Sequence, residues 1–319
     1  MTVTYSLFRR FLELLVSLFL IGSATFFLLA AVPGDALSAQ TDKMPENIRE
    51  QLYENYGLDQ PVLSRYVITL ENVAHGNFGE SLVTPGKSLT EVLAEKFPPS
   101  IRLGLQQILF GIPLGLLLGA LAAVFKNSWV DRSVTVLSLL LISVPSLIIG
   151  LLLQSYFGGK LGLFPIIGWP EGEQLWWGGW EFTILPMIAG GMGYIAAYAR
   201  LLKNSMLDVL GSDHIITARA KGVAEWKIVT RHVIRNAFVP IITSLPLSIV
   251  FCITGSVFVE SIFVIPGVGQ YFVEALTARD VPIILGETTL LAAMYIVTLF
   301  ITDIFYTLID PRISLVKEG

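Results

Sequence analysis

Apolar runs long enough to cross a bilayer recur along the whole chain, and they constrain its fold more than any other feature. A helix needs about 20 mostly apolar residues to span a membrane. Of the 319 residues, 54% are hydrophobic and only 14% are charged, whereas soluble domains carry about 25% charged residues. We therefore predict an all-α, polytopic membrane protein with six transmembrane helices. The predicted spans are 11–32, 101–125, 133–157, 182–202, 237–258 and 284–309.

The polar stretches between the runs define the predicted organisation. Residues 1–32 form an N-terminal transmembrane helix. A cleavable signal peptide is the alternative interpretation. The apolar run here is longer than the roughly 7–15 residues of a signal peptide's apolar core, which favours a retained helix. Residues 33–98 form a small helical segment outside the membrane. Residues 99–319 form a core of five further spans, with a polar loop at 203–236.

Charge separates the two longest polar segments. Residues 33–98 contain ten acidic and five basic residues, whereas the loop from Arg200 to Arg235 contains seven basic and three acidic ones. Basic loops stay in the cytoplasm, so the basic loop and both termini are predicted there, and 33–98 outside. The outer segment is predicted to hold an amphipathic helix after Pro45 and a second helix over 62–73.

The basic stretch 212–240 has more local structure than a topology signal needs. Ser212 or Asp213 can cap a short helix, and Gly222 can end it in a left-handed conformation. A second helix is predicted from about Ala224. It would carry Lys227, Arg231 and Arg235 on one face and Trp226, Val229 and Val233 on another. Two short helices broken at a glycine indicate a docking site for a partner, although a purely topological role stays open.

This loop resembles the EAA loop of permease subunits of ABC importers. TARAKG at 217–222, followed by RHVIRNAFVP up to Pro240, is similar to the version in peptide and nickel uptake systems. Ile216 replaces the glutamate of the motif, Thr217 replaces its first alanine, and Arg235 replaces one proline. Such changes are typical of the peptide branch. The resemblance extends to PGD at 33–35, GLDQP at 57–61, ESIFVIPGVGQ at 260–270 and DPR at 310–312.

The resemblance implies a type I ABC importer permease fold in the cell (plasma or inner) membrane. It implies transport of oligopeptides or dipeptides by alternating access, with a second homologous permease, two ATP-binding subunits and an extracellular substrate-binding protein. ATP and Mg would be bound by the partner subunits, and this chain, without cofactor or catalytic residues, would not be an enzyme. The residues expected to couple it to the ATPase are Thr217, Ala218, Arg219, Ala220, Lys221, Gly222, Glu225 and Trp226.

A path for a polar substrate needs hydrogen-bonding groups that face a cavity rather than lipid. The fifth predicted span is unusually rich in hydroxyls, and they are the candidates for a translocation path. These candidates are Thr243, Ser244, Ser248, Thr254 and Ser256. The same hydroxyls can instead bond the carbonyls of their own helix.

Other kinds of site find little support. Thr84 to Ser88 ends like a phosphate loop, but the first glycine of that motif is replaced by Ser81 and no strand precedes it. The single cysteine, Cys252, excludes an internal disulfide. The three histidines show no metal-ligand spacing. No metal site and no nucleic-acid partner are predicted.

Three alternative functions stay open. A nickel-chelate or glutathione permease belongs to the same family, and the absence of a His, Cys or Met cluster in the spans argues mildly against a metal path. An ion-driven secondary transporter needs inverted repeats and membrane-centre acids, for which Asp303 is the one candidate far from the start of a predicted span. A structural ion pair near the cytoplasmic end is the simpler role for Asp303. A membrane-embedded enzyme would need a catalytic constellation.

Overall fold

The computed structural model describes residues 3–32, 45–55, 57–82, 86–253 and 256–309. These residues form helices joined by turns, and their β-pairing is limited to an isolated bridge between Glu80 and Ser88. The all-α prediction is confirmed. The motifs at 33–35 and 310–312, the hydroxyl candidate Thr254 and the side chain of Asp303 lie outside the described part of the chain.

The helices are α1 (Val3–Ala31), α2 (Glu46–Asn55), α3 (Val62–Ala74), α4 (Leu89–Val124), α5 (Trp129–Ser143), α6 (Ser146–Leu153), α7 (Gln174–Trp177), α8 (Trp180–Leu210), α9 (Asp213–Ala220), α10 (Glu225–Lys227), α11 (Ile234–Ala237), α12 (Val239–Ile253), α13 (Val257–Phe263), α14 (Val268–Ala278) and α15 (Val281–Ile309). Two π-helical segments, Gln154–Lys160 and Ile228–Val233, extend α6 and join α10 to α11.

Among the described residues, α1, α4, α8 and α15 are each long and apolar enough to cross a membrane. Three bent pairs are further candidates: α5 with α6 at 97°, residues 225–237 with α12 at 44°, and α13 with α14 at 84°. The six predicted spans fall on the four continuous helices and the first two pairs. The motif at 260–270 carries the end of α13 and the start of α14, and only 264–267 lies between the two helices.

A glycine seam joins α4 to α8. Gly111, Gly115 and Gly119 repeat every four residues on one face of α4, as the sequence indicates. A Cβ added at Gly115 would lie 2.6 Å from the carbonyl oxygen of Ile195, and the other two glycines approach the α8 backbone as closely. Real Cβ atoms do not approach backbone this closely, so α4 and α8 pack with their backbones in contact.

Pro145 breaks the third predicted span. The sequence places it inside one continuous helix, whereas α5 ends at Ser143 and α6 begins after Pro145, which has extended backbone angles (φ −54°, ψ 143°). Proline lacks the N–H that a continuing helix needs and disfavours helical geometry in the residue before it. The chain therefore turns sharply within the membrane region.

The helix of the second span begins earlier than predicted. The sequence suggests a start beside Pro98 and Pro99, but α4 begins at Leu89 and contains both prolines. Ser88 and Glu91 form a capping box: the backbone N–H of Ser88 donates to the Glu91 carboxylate over 3.0 Å, and the Ser88 side chain accepts from the Glu91 N–H. The S-x-x-E pattern was available in the sequence as a signal for this start.

The outer segment packs on the first and last spans. The two helices predicted there are confirmed as α2 and α3. Tyr66 of α3 shares a 2.6 Å hydrogen bond with Ser23 of α1, and its ring lies 5.3 Å from that of Phe26. The Asp280 carboxylate, just before α15, accepts hydrogen bonds from the Ser81 hydroxyl and from the backbone N–H of Leu82. Residues 57–82 are thus attached to both α1 and α15.

Candidate functional site

The basic loop folds as two short helices that meet at a left-handed glycine, as the sequence predicts. Ser212 precedes α9, but its hydroxyl donates to the Val209 carbonyl over 2.5 Å and makes no side-chain cap for α9. Gly222 has a φ of +76°, and nothing lies within 4 Å of the position a Cβ would take. The second helix begins after Ala224. The turn therefore needs glycine for its positive φ, and not because a side chain at this position would clash with a neighbour.

The underside of the loop is buried against α8. The residues that share this core are Leu202, Met206, Ile215, Ile228, Val233 and Ala237. In the π-helical segment N–H groups bond five residues back, so Ile228 and Val233 lie on the same side, and both are fully buried. The apolar face predicted from α-helical spacing is wrong for Trp226, which is 66% exposed.

The opposite side of the loop is open and is called here the coupling surface. It consists of Ile216, Thr217, Arg219, Ala220, Lys221, Gly222, Glu225 and Trp226, all of them exposed. Of the predicted coupling residues, Ala218 differs, because it is half-buried against the core beneath the loop. Ile216 and Trp226 give the coupling surface an uncovered apolar part beside its charges.

An ion pair crosses the glycine turn. The Arg219 guanidinium contacts the Glu225 carboxylate twice, through Nε to Oε1 at 2.7 Å and Nη2 to Oε2 at 3.2 Å. This forked geometry is specific to Arg with a carboxylate. The hydrogen bond with Glu225 raises the pKa of the Arg219 guanidinium above its usual range, so the pair stays charged at neutral pH. It links α9 to α10 on the exposed side.

A cavity of about 460 Å³ lies at the Pro145 break. Its walls come from α4, α5, α6, α8 and α12 and from the residue before α13. Its polar lining residues are Gln107, Ser146, Tyr194 and Ser256, and the remaining lining residues are apolar or glycine. Gly193 lines it with open space where a Cβ would be. The cavity therefore offers uncharged hydrogen-bonding groups within an apolar wall.

Most of the predicted path hydroxyls bond within the protein. Thr243 and Ser244 both donate to the carbonyl of Pro240, over 2.8 and 2.9 Å. Ser248 is buried and shares a 2.7 Å hydrogen bond with the Tyr198 hydroxyl. Of the predicted residues that the structure describes, Ser256 is the one that lines the cavity. Sequence reasoning missed Gln107 and Tyr194, which reach the cavity from other spans.

A buried carboxylate organises the α13–α14 pair. Glu260 is fully buried and accepts hydrogen bonds from the Ser100 hydroxyl (2.8 Å) and from the backbone N–H groups of Ser256 (3.3 Å) and Gln270 (3.1 Å). It satisfies the N-terminal end of α14, where negative charge is stabilised. A side chain on Gly267 would displace the carboxylate. The sequence showed the motif 260–270 but not its contact with Ser100.

Arg102 holds the loop of residues 161–179, which joins the π-helical extension of α6 to α8. It is buried and donates to the carbonyls of Gln174 (2.8 Å), Leu175 (2.5 Å) and Gly178 (2.6 Å). The guanidinium also lies 5.5 Å from the centre of the Trp169 ring. Four tryptophans in and beside this loop are typical of a membrane-interface belt: Trp169, Trp176, Trp177 and Trp180. Trp169, however, is only 8% exposed and packs inside the protein.

Among the residues that the structure describes, no three His, Cys, Asp or Glu side chains converge as a metal-ligand set.

Two family models match the chain. The model described as binding-protein-dependent transport system inner membrane component matches residues 111–315, and the corresponding N-terminal model matches residues 3–101. The chain belongs to this family. The match over 111–315 covers the coupling surface, the α13–α14 pair and all the lining residues of the cavity except Gln107.

Similar curated proteins extend the match over nearly the full length. The chain is 36% identical to the dipeptide transport system permease protein DppB of Bacillus subtilis, over 98% of both chains. It is 38% identical to DppB of Lactococcus lactis, over 96% of this chain and 98% of the relative. It is 35% identical to the oligopeptide transport system permease protein OppB of Haemophilus influenzae, with the same coverage. The chain is therefore a multi-pass inner-membrane component of an ABC-type transport system.

Proposed function

We propose that this chain is the permease subunit of an ATP-driven importer of oligopeptides or dipeptides that works by alternating access. The similar proteins named above carry peptide transport in their names. The observation that carries the proposal is structural. Both helices that leave the coupling loop, α8 on one side and α12 on the other, carry residues that line the cavity.

The connection through α8 is rigid. Its cytoplasmic end packs on the loop core through Leu202 and Met206. Gly193 and Tyr194 of the same helix line the cavity. A straight α-helix of 31 residues is roughly 46 Å long. Movement imposed on the loop is therefore transmitted to the cavity wall, and the glycine seam carries α4 with it.

The other wall is connected less rigidly. Ala237 of the loop core and Ile241 of α12 belong to the same buried cluster. The helical segments meet at a 44° bend. Phe251, further along α12, lines the cavity. Displacement of the loop relative to α8 would therefore change the separation of α8 and α12, which is the change that alternating access requires.

In this proposal an ATP-binding subunit docks on the coupling surface. Ile216 and Trp226 supply apolar contact, and Arg219, Lys221 and Glu225 supply charges that orient the partner. Two such ATPase subunits, which bind ATP and Mg, act on this chain and on a second homologous permease. This chain does no covalent chemistry. This chain supplies part of the substrate path, together with the helices α8 and α12 that transmit movement of the loop to the cavity.

The lining of the cavity supports a peptide substrate. Amide groups of a peptide need both donors and acceptors, and Gln107, Ser146 and Ser256 offer both. Its volume of about 460 Å³ lies within the range of small-molecule sites. A bare metal ion would need His, Cys or carboxylate ligands, and the described residues that line the cavity include none of these.

The orientation follows from charge. We place both termini and the basic loop in the cytoplasm, and residues 33–98 outside. The outer segment would then help to dock the external substrate-binding protein. Its attachment to α1 and α15, through Tyr66 and Asp280, supports this role because force at the outer surface would reach the spans.

The test is to fill the cavity without disturbing the fold. Gly193→Phe projects into open space, so we expect normal subunit assembly and loss of at least about 90% of ATP-dependent peptide uptake in proteoliposomes, as expected for a blocked path. Gly193→Ala is the matched control and should transport normally. Normal uptake by Gly193→Phe would show that peptides take another route.

A further inference from the structure

A cleft with a polar and an apolar half lies between the outer segment and the spans α1 and α15. The polar half has a volume of about 520 Å³ and the apolar half about 440 Å³. The two halves adjoin, with a common wall of shared lining residues. The shared residues are Phe26, Thr69, Val73, Phe78 and Leu285. None of them belongs to the coupling surface or to the cavity at Pro145.

The apolar half lies at membrane depth. Its walls are α1 from Leu15 to Phe26, one face of α3, and α15 down to Ala293. None of the described residues that line it is charged. Gly22 leaves room in the wall, since a Cβ there would meet nothing closer than 3.7 Å. Hydrocarbon is the chemistry that such a wall accepts.

The helix that covers the cleft has the features of a membrane-surface helix. On the face turned away from the cleft α3 exposes Leu63 (69%) and Val67 (60%), which no described residue covers. An amphipathic helix with an uncovered apolar face lies in the headgroup region of a bilayer, with that face toward the acyl chains. The junction of the two halves of the cleft therefore lies at the level of lipid headgroups.

Charges in the polar half match a headgroup. Arg65 is half-buried, lines this half and has no side-chain partner among the described residues. Guanidinium groups bind phosphate through paired hydrogen bonds. Glu54 and Glu80 line the same half and are exposed. The polar half thus presents one cation and two anions, all available to a ligand.

We propose that this cleft binds one phospholipid with an ammonium headgroup, such as phosphatidylethanolamine. The phosphate contacts Arg65, the ammonium lies toward Glu54 and Glu80, and an acyl chain occupies the apolar half beside Gly22. The lipid connects the outer segment to α1 and α15, so it stabilises the attachment of residues 57–82 to the spans. This proposal does not depend on which substrate is transported.

The experiment measures lipid bound to the full-length chain with its co-purifying subunits. After delipidation in detergent, native mass spectrometry follows titration with phosphatidylethanolamine, phosphatidylglycerol, diacylglycerol or O-phosphoethanolamine. We expect one phosphatidylethanolamine per chain at the lowest concentration. Diacylglycerol and O-phosphoethanolamine each lack half of the ligand and should bind at least about tenfold more weakly.

Variants in each half of the cleft test separately its contacts with the headgroup and with the acyl chain. Arg65→Ala should weaken phosphatidylethanolamine binding about tenfold, as expected for loss of a charged hydrogen bond. Arg65→Lys, which keeps the charge but not the paired hydrogen bonds, should restore only part of it. Gly22→Leu should weaken it through the acyl chain. Glu54→Gln combined with Glu80→Gln should abolish the preference over phosphatidylglycerol. Lys160→Ala removes an exposed cation that does not line the cleft and is the matched control.

Two results would overturn the proposal. One is equal lipid retention by wild type, Arg65→Ala and Gly22→Leu, which would mean that any bound lipid lies elsewhere. The other comes from a photo-crosslinking amino acid placed at Leu70, which lines the apolar half. Capture of a protein segment there, from this chain or from another subunit, would show that the cleft has a different occupant.

Discussion

Gly222→Val tests whether the coupling surface depends on its left-handed turn. The φ of Gly222 is +76°, and nothing lies within 4 Å of its Cβ position. A valine there would meet no clash, so its cost is conformational. A left-handed conformation costs an ordinary L-residue roughly 1–2 kcal/mol, and a β-branched residue more.

The size of the effect follows from this cost. A penalty of roughly 1–2 kcal/mol lowers the population of the native turn relative to alternatives by a factor of about 5–30. The exposed pair of Arg219 and Glu225, which crosses the turn, contributes too little to offset this. The core beneath the loop, at Ile215 and Ile228, does not include Gly222 and should stay folded.

The assay compares three variants in the purified transporter and in proteoliposomes. We expect Gly222→Val to reduce peptide uptake measurably, by up to about 5–30-fold, with loss of the ATPase subunit on purification or with ATP hydrolysis uncoupled from transport. Asparagine tolerates the left-handed region, so Gly222→Asn should stay close to wild type, and Gly222→Ala should be intermediate. If valine and asparagine gave the same uptake and the same subunit ratio, the turn would not be needed for coupling.

Two further predictions concern the spans and their orientation. Gly115→Leu should reduce the yield of folded protein in detergent severalfold, because its Cβ would lie 2.6 Å from the Ile195 carbonyl oxygen; a normal yield would mean that α4 and α8 separate easily. In a background without Cys252, a cysteine at Ser64 should react with an impermeant thiol reagent added to intact cells, and one at Lys126 should not. The reverse pattern would invert the topology.

Features set by local sequence were predictable. The apolar runs, the outer helices α2 and α3 and the break at Gly222 depend on patterns within about 20 neighbouring residues, and the structure confirms them. The glycine seam was also visible, because a repeat of four residues keeps small side chains on one helix face. The helix that packs against this seam, α8, could not be predicted, because the sequence of α4 does not indicate which helix it contacts.

The errors have two physical causes. The first is a change of helical period: the π-helical segment at 228–233 moved Trp226 out of the face assigned to it. The second is long-range contact. Glu260 is buried and accepts a hydrogen bond from the Ser100 hydroxyl, 160 residues earlier in the chain, and no local pattern indicates this contact. The cavity likewise combines residues of several spans, which hydroxyl content along one span could not indicate.

The central claim is that the coupling surface controls access to the cavity at Pro145. The direct measurement is the reactivity of a cysteine at Gly193, which lines the cavity in open space, in a chain without Cys252 and assembled with its partner subunits. With an impermeant thiol reagent added from the outside, we expect slow labelling at rest and at least about tenfold faster labelling when ATP is trapped on the ATPases. In the Gly222→Val variant this difference should disappear. Equal labelling at rest and with trapped ATP would contradict the account.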